Sequence, residues 1–437
     1  MLSHSRRCGL DKRARGWMTH LSLEPDRWGF SMSKMKMILA SRQAPMIGHL
    51  PAYANSISQL IPAIYAAMDV VSREMIGFAT VVTRNTAAER VAVGQTITYP
   101  IAPPQITTPI VPSMQVPNPP DNSFGVGTMA ITRAEKVAFG FTGEEQKGLN
   151  SGGPGYLSAQ AMLIAQAMRT IANAVESDIS VEAALNASRA YGTAGTAPFG
   201  SGDLTDLAQL SKILDDNGAP QNRGAVLGST AAAKLMALQN LTRVNEAGTQ
   251  MTLRSGELLD IFGMSIHKTG QPYRHTKGTG ASATTNGTGY AVGATVITLA
   301  SAGTGTIKKG DVVTFAGDTN KYVVAAGDTD VSNGGSITLA APGLRVAIPA
   351  AATAITVGGN YEANVAFSQD AIQVAMRAPA APTEGDLALD RMIITDPRSG
   401  IPFEFSIWPG YRMVSGEVAL AWGQKAVKSE HIATLLA

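Results

Sequence analysis

The stretch Tyr156–Tyr191, YLSAQAMLIAQAMRTIANAVESDISVEAALNASRAY, decides how the rest of the chain is read. It holds no glycine or proline. Ala161, Ile164, Met168, Ile171, Val175 and Ile179 recur at three- and four-residue steps, the spacing of one helical face. The pattern predicts a helix of roughly 30 residues, about 45–50 Å long, stopped at Gly192. An element longer than ordinary globular helices is expected to span the molecule. A coiled coil is disfavoured, because no strong charge pairing flanks the apolar stripe.

Upstream, Gly152, Gly153, Pro154 and Gly155 break the chain. Before them, prolines 100, 103, 104, 109, 112, 117, 119 and 120 crowd one stretch. Proline removes a donor and fixes φ, so this piece is neither central strand nor helix. Residues 78–142 therefore read as an extended excursion, returning through the alternating Val137, Phe139 and Phe141. An arm with so little core of its own needs a partner surface, on this chain or a neighbour. Further upstream, Pro62 suits a first helical turn, Ile64, Met68, Val71 and Met75 mark one face, and Gly77 closes the helix. Residues 1–40 carry eight Lys/Arg against three acids, a balance of +5, and show no period. They read as a disordered basic leader, or as a start codon assigned upstream of Met46. No apolar core suitable for a secretory signal is present in Ser31–Ala40, which Lys34 and Lys36 interrupt.

Downstream, residues 203–262 alternate helix and strand. Asp203 is expected to cap a helix with Leu204, Leu207, Leu210 and Leu214 on one face. Ala225–Leu227 reads as a strand, Ser229 as the cap of a helix through Leu235 and Leu238, Glu257–Phe262 as a short helix and Met264–Lys268 as a strand. At about Thr269 the composition shifts to Gly and Thr, and no methionine occurs from Ser265 to Ala375. Short strands are predicted at Ala294–Leu299, Asp311–Phe315, Lys321–Ala325, Ser336–Ala340 and Ala354–Val357, as in a small β-barrel or sandwich. Ser368-Gln369-Asp370 reads as an N-cap before a helix with Ile372 and Met376. Strands Met392–Thr395 and Phe403–Ile407 flank a turn at 396–400, and Val418, Leu420 and Trp422 alternate in another. The β unit at about 270–362 thus looks inserted into an α+β domain.

The 437 residues contain 35 Lys+Arg and 33 Asp+Glu, 45% hydrophobic residues and only 16% charged ones. That charge fraction lies below the ~25% of average soluble proteins, so much of the surface is expected to be covered by other subunits. A wholly disordered chain is excluded, and no apolar run of ~18 residues suggests a transmembrane helix. Cys8 is the single cysteine, leaving no disulfide framework or thiolate cluster.

The search for chemistry yields no catalytic, cofactor-binding or metal-binding residue. His4, His20, His49, His267, His275 and His431 lack partners at metal-ligand spacing. His267 and His275 are read as a solvated pair across a loop. No G-x-S-x-G elbow or P-loop occurs, and the triplets at Gly125–Gly127 and Gly303–Gly305 do not extend. Asp215-Asp216 and Asp328-Thr329-Asp330 sit in turn contexts where Asp is common.

The order of these elements, with five short stretches, resembles the major capsid proteins of tailed bacteriophages. The stretches are SQLIPAIYAAMDVVSREMIGF (58–78), FTGEEQKGL (141–149), GDVVTFAGDTNKYVV (310–324), ANVAFSQDAIQVAMRAP (363–379) and DRMIITDPRSG (390–400). They are similar to P-twenty-two-type coat proteins, which have the Hong Kong ninety-seven capsid fold with an inserted β-domain. The resemblance runs from about Met46 to Ala437. It implies an N-terminal arm helix at 46–78, an extended loop at 79–142, a peripheral domain with the spine helix at 143–192 and an axial domain at 193–268. It further implies an inserted β-barrel at 270–362 and a second axial/peripheral part at 363–437. The function implied is a self-assembling icosahedral head shell around double-stranded DNA. Its partners are further copies of itself in hexamers and pentamers, a scaffolding protein, a portal and non-specifically contacted DNA. No membrane and no cofactor is implied, and the place is the virion, assembled in the bacterial host cytoplasm. In the family a charged loop of the inserted domain touches a neighbour. The corresponding Gly270–Gly289, with Arg274 and Lys277, has no acidic residue, which places a salt-bridged contact in doubt. The alternatives are a cytosolic α+β enzyme with a β accessory domain, and a bacterial shell compartment.

Overall fold

The computed structural model describes residues 57–70, 75–85, 89–101, 107, 109–112, 114, 125–151, 155–239, 260–397 and 399–437. The leader at 1–45 lies outside them. The chain runs α1 (Ile57–Val70), α2 (Phe78–Val81), β1 (Thr83–Asn85), β2 (Thr96–Ile101), β3 (Gly125–Ala130), β4 (Arg133–Thr142), α3 (Gly143–Asn150) and α4 (Tyr156–Leu185). Then come β5 (Arg189–Tyr191), α5 (Thr205–Asp216), β6 (Arg223–Gly228), α6 (Ser229–Met236) and β7 (Met264–Thr269). The next strands are β8 (Arg274–His275), β9 (Val296–Thr298), β10 (Val312–Phe315), β11 (Lys321–Ala326), β12 (Ser336–Leu339) and β13 (Ile355–Val357). The last are β14 (Tyr361–Ser368), β15 (Ile372–Arg377), β16 (Asp390–Thr395), β17 (Pro402–Gly410), β18 (Met413–Ala426) and β19 (Ile432–Leu436). Helices and mainly antiparallel strands make the fold α+β.

The spine helix α4 has 30 residues. All six residues of its predicted face are buried. It stops at Leu185, short of Gly192. Asn186 Nδ2 donates to the Glu182 carbonyl at 2.8 Å, and Arg189–Tyr191 leave the helix to pair with β19 and β11. The ladder gives those backbone groups partners inside the protein, so tertiary pairing overrides helix continuation.

Two sheets flank the spine. One has the order β1-β15-β18-β17-β16, with β4 also paired to β18. The other runs β13-β10-β11-β5-β19-β14-β6-β7, joined by β8, β9 and β12. The main core lies between α4 and the sheets, and includes Leu60, Ile64, Phe78, Phe367, Phe405 and Trp422. A second core joins Leu207, Leu210 and Leu214 of α5 to Leu227 and Leu235. A third belongs to the Gly/Thr-rich segment: Ile297, Val313, Phe315, Tyr322, Val324, Ile337 and Leu339. All five short strands predicted there are present. Tyr322 pairs with Arg189, and Lys321 with Ala190, so the segment also extends the body's sheet through β11 and β5.

A fully buried carboxylate fixes where the chain enters this body. Glu176, in the middle of α4, accepts the backbone N–H groups of Gly77, Phe78 and Ala79 at 2.6, 2.8 and 3.0 Å. These are donors at the start of α2 that lack helical partners. Burial pushes the Glu176 carboxyl up, and the three N–H bonds oppose that rise. Gly77 is required here: a Cβ would lie 2.7 Å from Val226 Cγ1 and 2.8 Å from the Lys268 carbonyl oxygen.

Several expectations are corrected. α1 begins at Ile57 and ends at Val70, so Pro62 lies inside it and Gly77 does not close it. Leu60, Ile64 and Ala67 are buried, and that packing offsets the backbone bond proline cannot make. Residues 78–85 are not excursion, because α2 is helical and buried and β1 pairs in parallel with β15. Ser368 does not start a helix. Residues 369–371 make one 3-10 turn, and Ile372–Arg377 is a strand between β1 and β18. The pair Ile372 and Met376 fits a period of two as well as a helical step, and here the sheet claims it. At α5, Leu204 occupies the cap position, while Asp203 Oδ1 accepts from Thr205 N at 3.1 Å. Ser229 is the first residue of α6 rather than its cap, which is Gly228. Of the helix expected at Glu257–Phe262, residues 257–259 lie outside the described ones and Asp260–Phe262 are not helical, because Ile261 and Met264 bridge across a tight turn.

Candidate assembly surface

Among the described residues β2 and β3 pair only with each other, from Thr96 opposite Ala130 to Ile101 opposite Gly125. From Val91 to Thr132 the chain carries a single charged residue, Asp121. At the root of this arm Val91, Met129 and Ile131 pack on Ala375 and Ala421, with Ile97 and Tyr99 half-buried over them. Beyond the root apolar side chains stand in solvent: Val126 is 67% exposed, Val111 73%, and Ile110 essentially completely. The root sits tightly on β18, where a Cβ on Gly423 would come 2.1 Å from the Ala130 carbonyl oxygen.

Both ends of the arm are held by arginines. Arg90 donates to the two Glu404 oxygens at 2.6 and 3.1 Å and to the Pro379 carbonyl at 2.8 Å. The Glu404 side chain on β17 is 5% exposed, and Arg391 Nε lies 3.9 Å from it. Arg133 donates to both Asp178 oxygens at 2.9 and 3.0 Å, pairs with Glu135, and lies 5.4 Å over the Trp422 ring. Trp422 Nε1 in turn donates to Asp178 Oδ2 at 2.9 Å.

The body also shows apolar side chains to solvent. Leu157, Met162 and Leu163 lie on the first half of α4, Tyr411 and Met413 at the β17–β18 hairpin, and Leu387, Leu389 and Ile393 at or just before β16. β16 ends its sheet, so its outer backbone groups have no strand beside them. Within FTGEEQKGL, Thr142 Oγ1 accepts from Glu145 N at 3.3 Å and Glu145 Oε2 from Thr142 N at 2.8 Å. This capping box starts α3.

His267 and His275 do not form a solvated pair. His275 is buried, with Nε2 donating to Asp311 Oδ1 at 2.8 Å and the Tyr361 ring tilted against it, 5.1 Å away. His267 Nδ1 lies 3.4 Å from Thr80 Oγ1, and burial pushes its pKa down. Arg274 pairs with Glu362 of its own chain at 3.1 Å, and Gly278 N bonds Asp311, so much of Gly270–Gly289 is tied down internally. Asp215 and Asp216 pair with Arg223 and Arg189 at 2.7 and 3.1 Å, and Asp330 caps a 3-10 turn. A polar cleft of about 830 Å³ between α5 and β11 is lined by Arg189, Lys212, Lys321, Asp203, Asp206 and Asp216. Among the described residues no group of three His, Cys, Asp or Glu could hold a metal ion. No helix among them is long and apolar enough to cross a membrane.

The sequence reading missed Arg90, Arg133, Glu176, Asp178 and Glu404. For the arginines a signal existed, since they bracket a nearly uncharged stretch. For the carboxylates none did, because their partners lie far along the chain.

No protein-family model and no curated protein matches the chain. Solved structures do. That of Mycobacterium phage Che8 shares 12% identity over 83% of this chain and 92% of that one, with a TM-score of 0.41. The capsid of cyanophage P-SCSP1u shares 12% over 84% and 89%, with a TM-score of 0.45. A virus-like particle from Pyrococcus furiosus shares 11% over 86% and 98%, with a TM-score of 0.36. At TM-scores below 0.5 such likeness carries no argument about what this chain does.

Proposed function

We propose that this chain is the major capsid protein of a tailed bacteriophage or prophage, and that its copies assemble into a closed icosahedral shell around double-stranded DNA. The observation that carries the reading is the arm: a nearly chargeless stretch whose described apolar residues Ile110, Val111 and Val126 stand exposed. Exposed apolar surface of this kind gains about 25 cal/mol per Å² on burial, and a second copy is the natural cover. The long spine supplies the rigid beam such a contact needs.

In this reading the extended loop lies within 79–142 beyond Asn85, 143–192 is the peripheral domain, 193–268 with part of 363–437 the axial domain, and 270–362 an inserted brace. Copies group as hexamers and pentamers, with a scaffolding protein and a portal as further partners, and the protein resides in the virion after assembly in the host cytoplasm.

The test is to replace residues 99–127 with a two-residue Asn-Gly turn joining the register partners Thr98 and Thr128. Size-exclusion chromatography and electron microscopy should show shells in the void volume for the parent and folded small species for the variant. Shells of normal size from the variant would end the proposal.

A further inference from the structure

The arm bears almost no charge, yet arginines stand at both of its ends, and each grips a carboxylate with two nitrogen–oxygen contacts. Arg90 holds the incoming strand to Glu404 of β17. Arg133 holds the outgoing strand to Asp178 of α4 through one nitrogen, Nη1, which contacts both carboxylate oxygens, while Nε and Nη2 take Glu135 and the guanidinium lies over the Trp422 ring of β18. A planar guanidinium that takes both oxygens of one carboxylate, as at Arg90, or joins two carboxylates, as at Arg133, sets direction as well as distance, whereas an ammonium sets distance alone. The carboxylates are themselves fixed. Glu404 is nearly buried beside Arg391, and Asp178 accepts from the fully buried Trp422. Each end of the ribbon is therefore referred to a rigid part of the body, one to the sheet and one to the spine.

We propose that Arg90 and Arg133 are positioning residues that aim the arm, so that it leaves every copy at one angle to the spine helix. Its consequence for particle shape rests on the shell-forming reading, while its geometry does not. A closed shell of uniform size needs every arm to meet its neighbour at a set angle. Arms of variable angle should still find neighbours, but with variable curvature.

The test uses the full chain with Arg90→Lys and Arg133→Lys together, which keeps both charges and removes both planar guanidinium groups. A second double variant, Arg90→Met and Arg133→Met, keeps only the stems. Hydrogen exchange of the unassembled chain is read at Gly94 and Ile131, whose amides bond across the arm's root, to the Ile131 and Gln95 carbonyls. Particle diameter is read by electron microscopy. Exchange at the root should quicken about fivefold in the Lys pair and more in the Met pair, as expected for loss of partly exposed ion pairs. Core amides should stay unchanged and the diameter distribution should broaden. Unchanged root exchange in both pairs overturns the proposal. So does faster exchange with particles as uniform as the parent's, because the two arginines would then hold the root without aiming the arm. If the parent forms no shells, the shell-forming reading fails, and the exchange data alone decide whether the two arginines fix the arm.

Discussion

The spine helix and the arm are both long, apolar stretches with few charges, and they end in opposite surroundings. α4 buries its stripe against two sheets and α1. Among the arm's described apolar residues, Val91, Met129 and Ile131 at the root are buried, and Val126, Val111 and Ile110 are exposed. The difference lies in backbone bookkeeping. A helix satisfies its own peptide groups and can be packed on every side, while a two-stranded ribbon, here with Pro100 in β2, has no further strand at its edges among the described residues. The same apolar content is therefore buried in one place and exposed in the other.

If that contrast holds, changes in the body should lower melting temperature, and changes in the outer arm should stop assembly and leave melting alone. The largest effect is the arm replacement between Thr98 and Thr128, with complete loss of particles at an unchanged thermal midpoint. Next is Glu176→Ala, which strands three buried N–H groups. It should cost about 4–5 kcal/mol in denaturant unfolding, since each buried unsatisfied group costs about 1–3 kcal/mol. A loss below 1 kcal/mol would mean that α2 is held by packing alone. Phe315→Ala removes a buried ring from the third core and should cost about 3–4 kcal/mol. A circular dichroism melt would then show a separate, earlier transition if that segment is energetically its own unit. Gly423→Ala tests the boundary between the two regions, because its Cβ meets the backbone of the arm's root. Overpacking there should cost about 2–3 kcal/mol and speed exchange at the root more than in α4.

The smallest effect is seen only in alkali. Burial, helped by Asp318, pushes the Tyr322 hydroxyl up to about 12 from its ordinary 10.0. The folded state keeps its proton where the unfolded state has lost it. Stability from this group is thus intact below pH 10 and falls as pH rises toward 12, by about 2–3 kcal/mol in all. Tyr322→Phe should flatten that part of the pH profile, and an unchanged slope would assign the alkaline loss to other groups.

Much of the body was legible in the sequence because its signals are local. The periodic face of α4, the alternation of Val418, Leu420 and Trp422, and the short Gly/Thr-rich strands depend on neighbours within a few residues. Ile372–Arg377 was misread because Ile372 and Met376 fit two periods, and only the flanking β1 and β18 decide between them. Pro62 misled in the other direction, since tertiary packing keeps α1 going through it. The arm's need for a partner was readable from its prolines. Its anchors were not: Glu404 and Asp178 are chosen by the fold, across sequence distances that no pattern spans. Nor was the burial of His275, which depends on Asp311 and Tyr361.

The position of β19 has a consequence for how the protein is made. Ile432–Leu436 lies inside its sheet, parallel to β5 on one side and antiparallel to β14 on the other. The strand that joins those two halves is thus synthesised roughly 240 residues after β5. Until then β5 and β14 present open edges, and the pairing that closes them spans a loop of roughly 240 residues on the β5 side, slow to form by the usual dependence on contact separation. A chain cut before β19 leaves β5 and β14 without the strand that joins them. The interval between synthesis of β5 and arrival of β19 is when the chain is most exposed to aggregation and most in need of a chaperone.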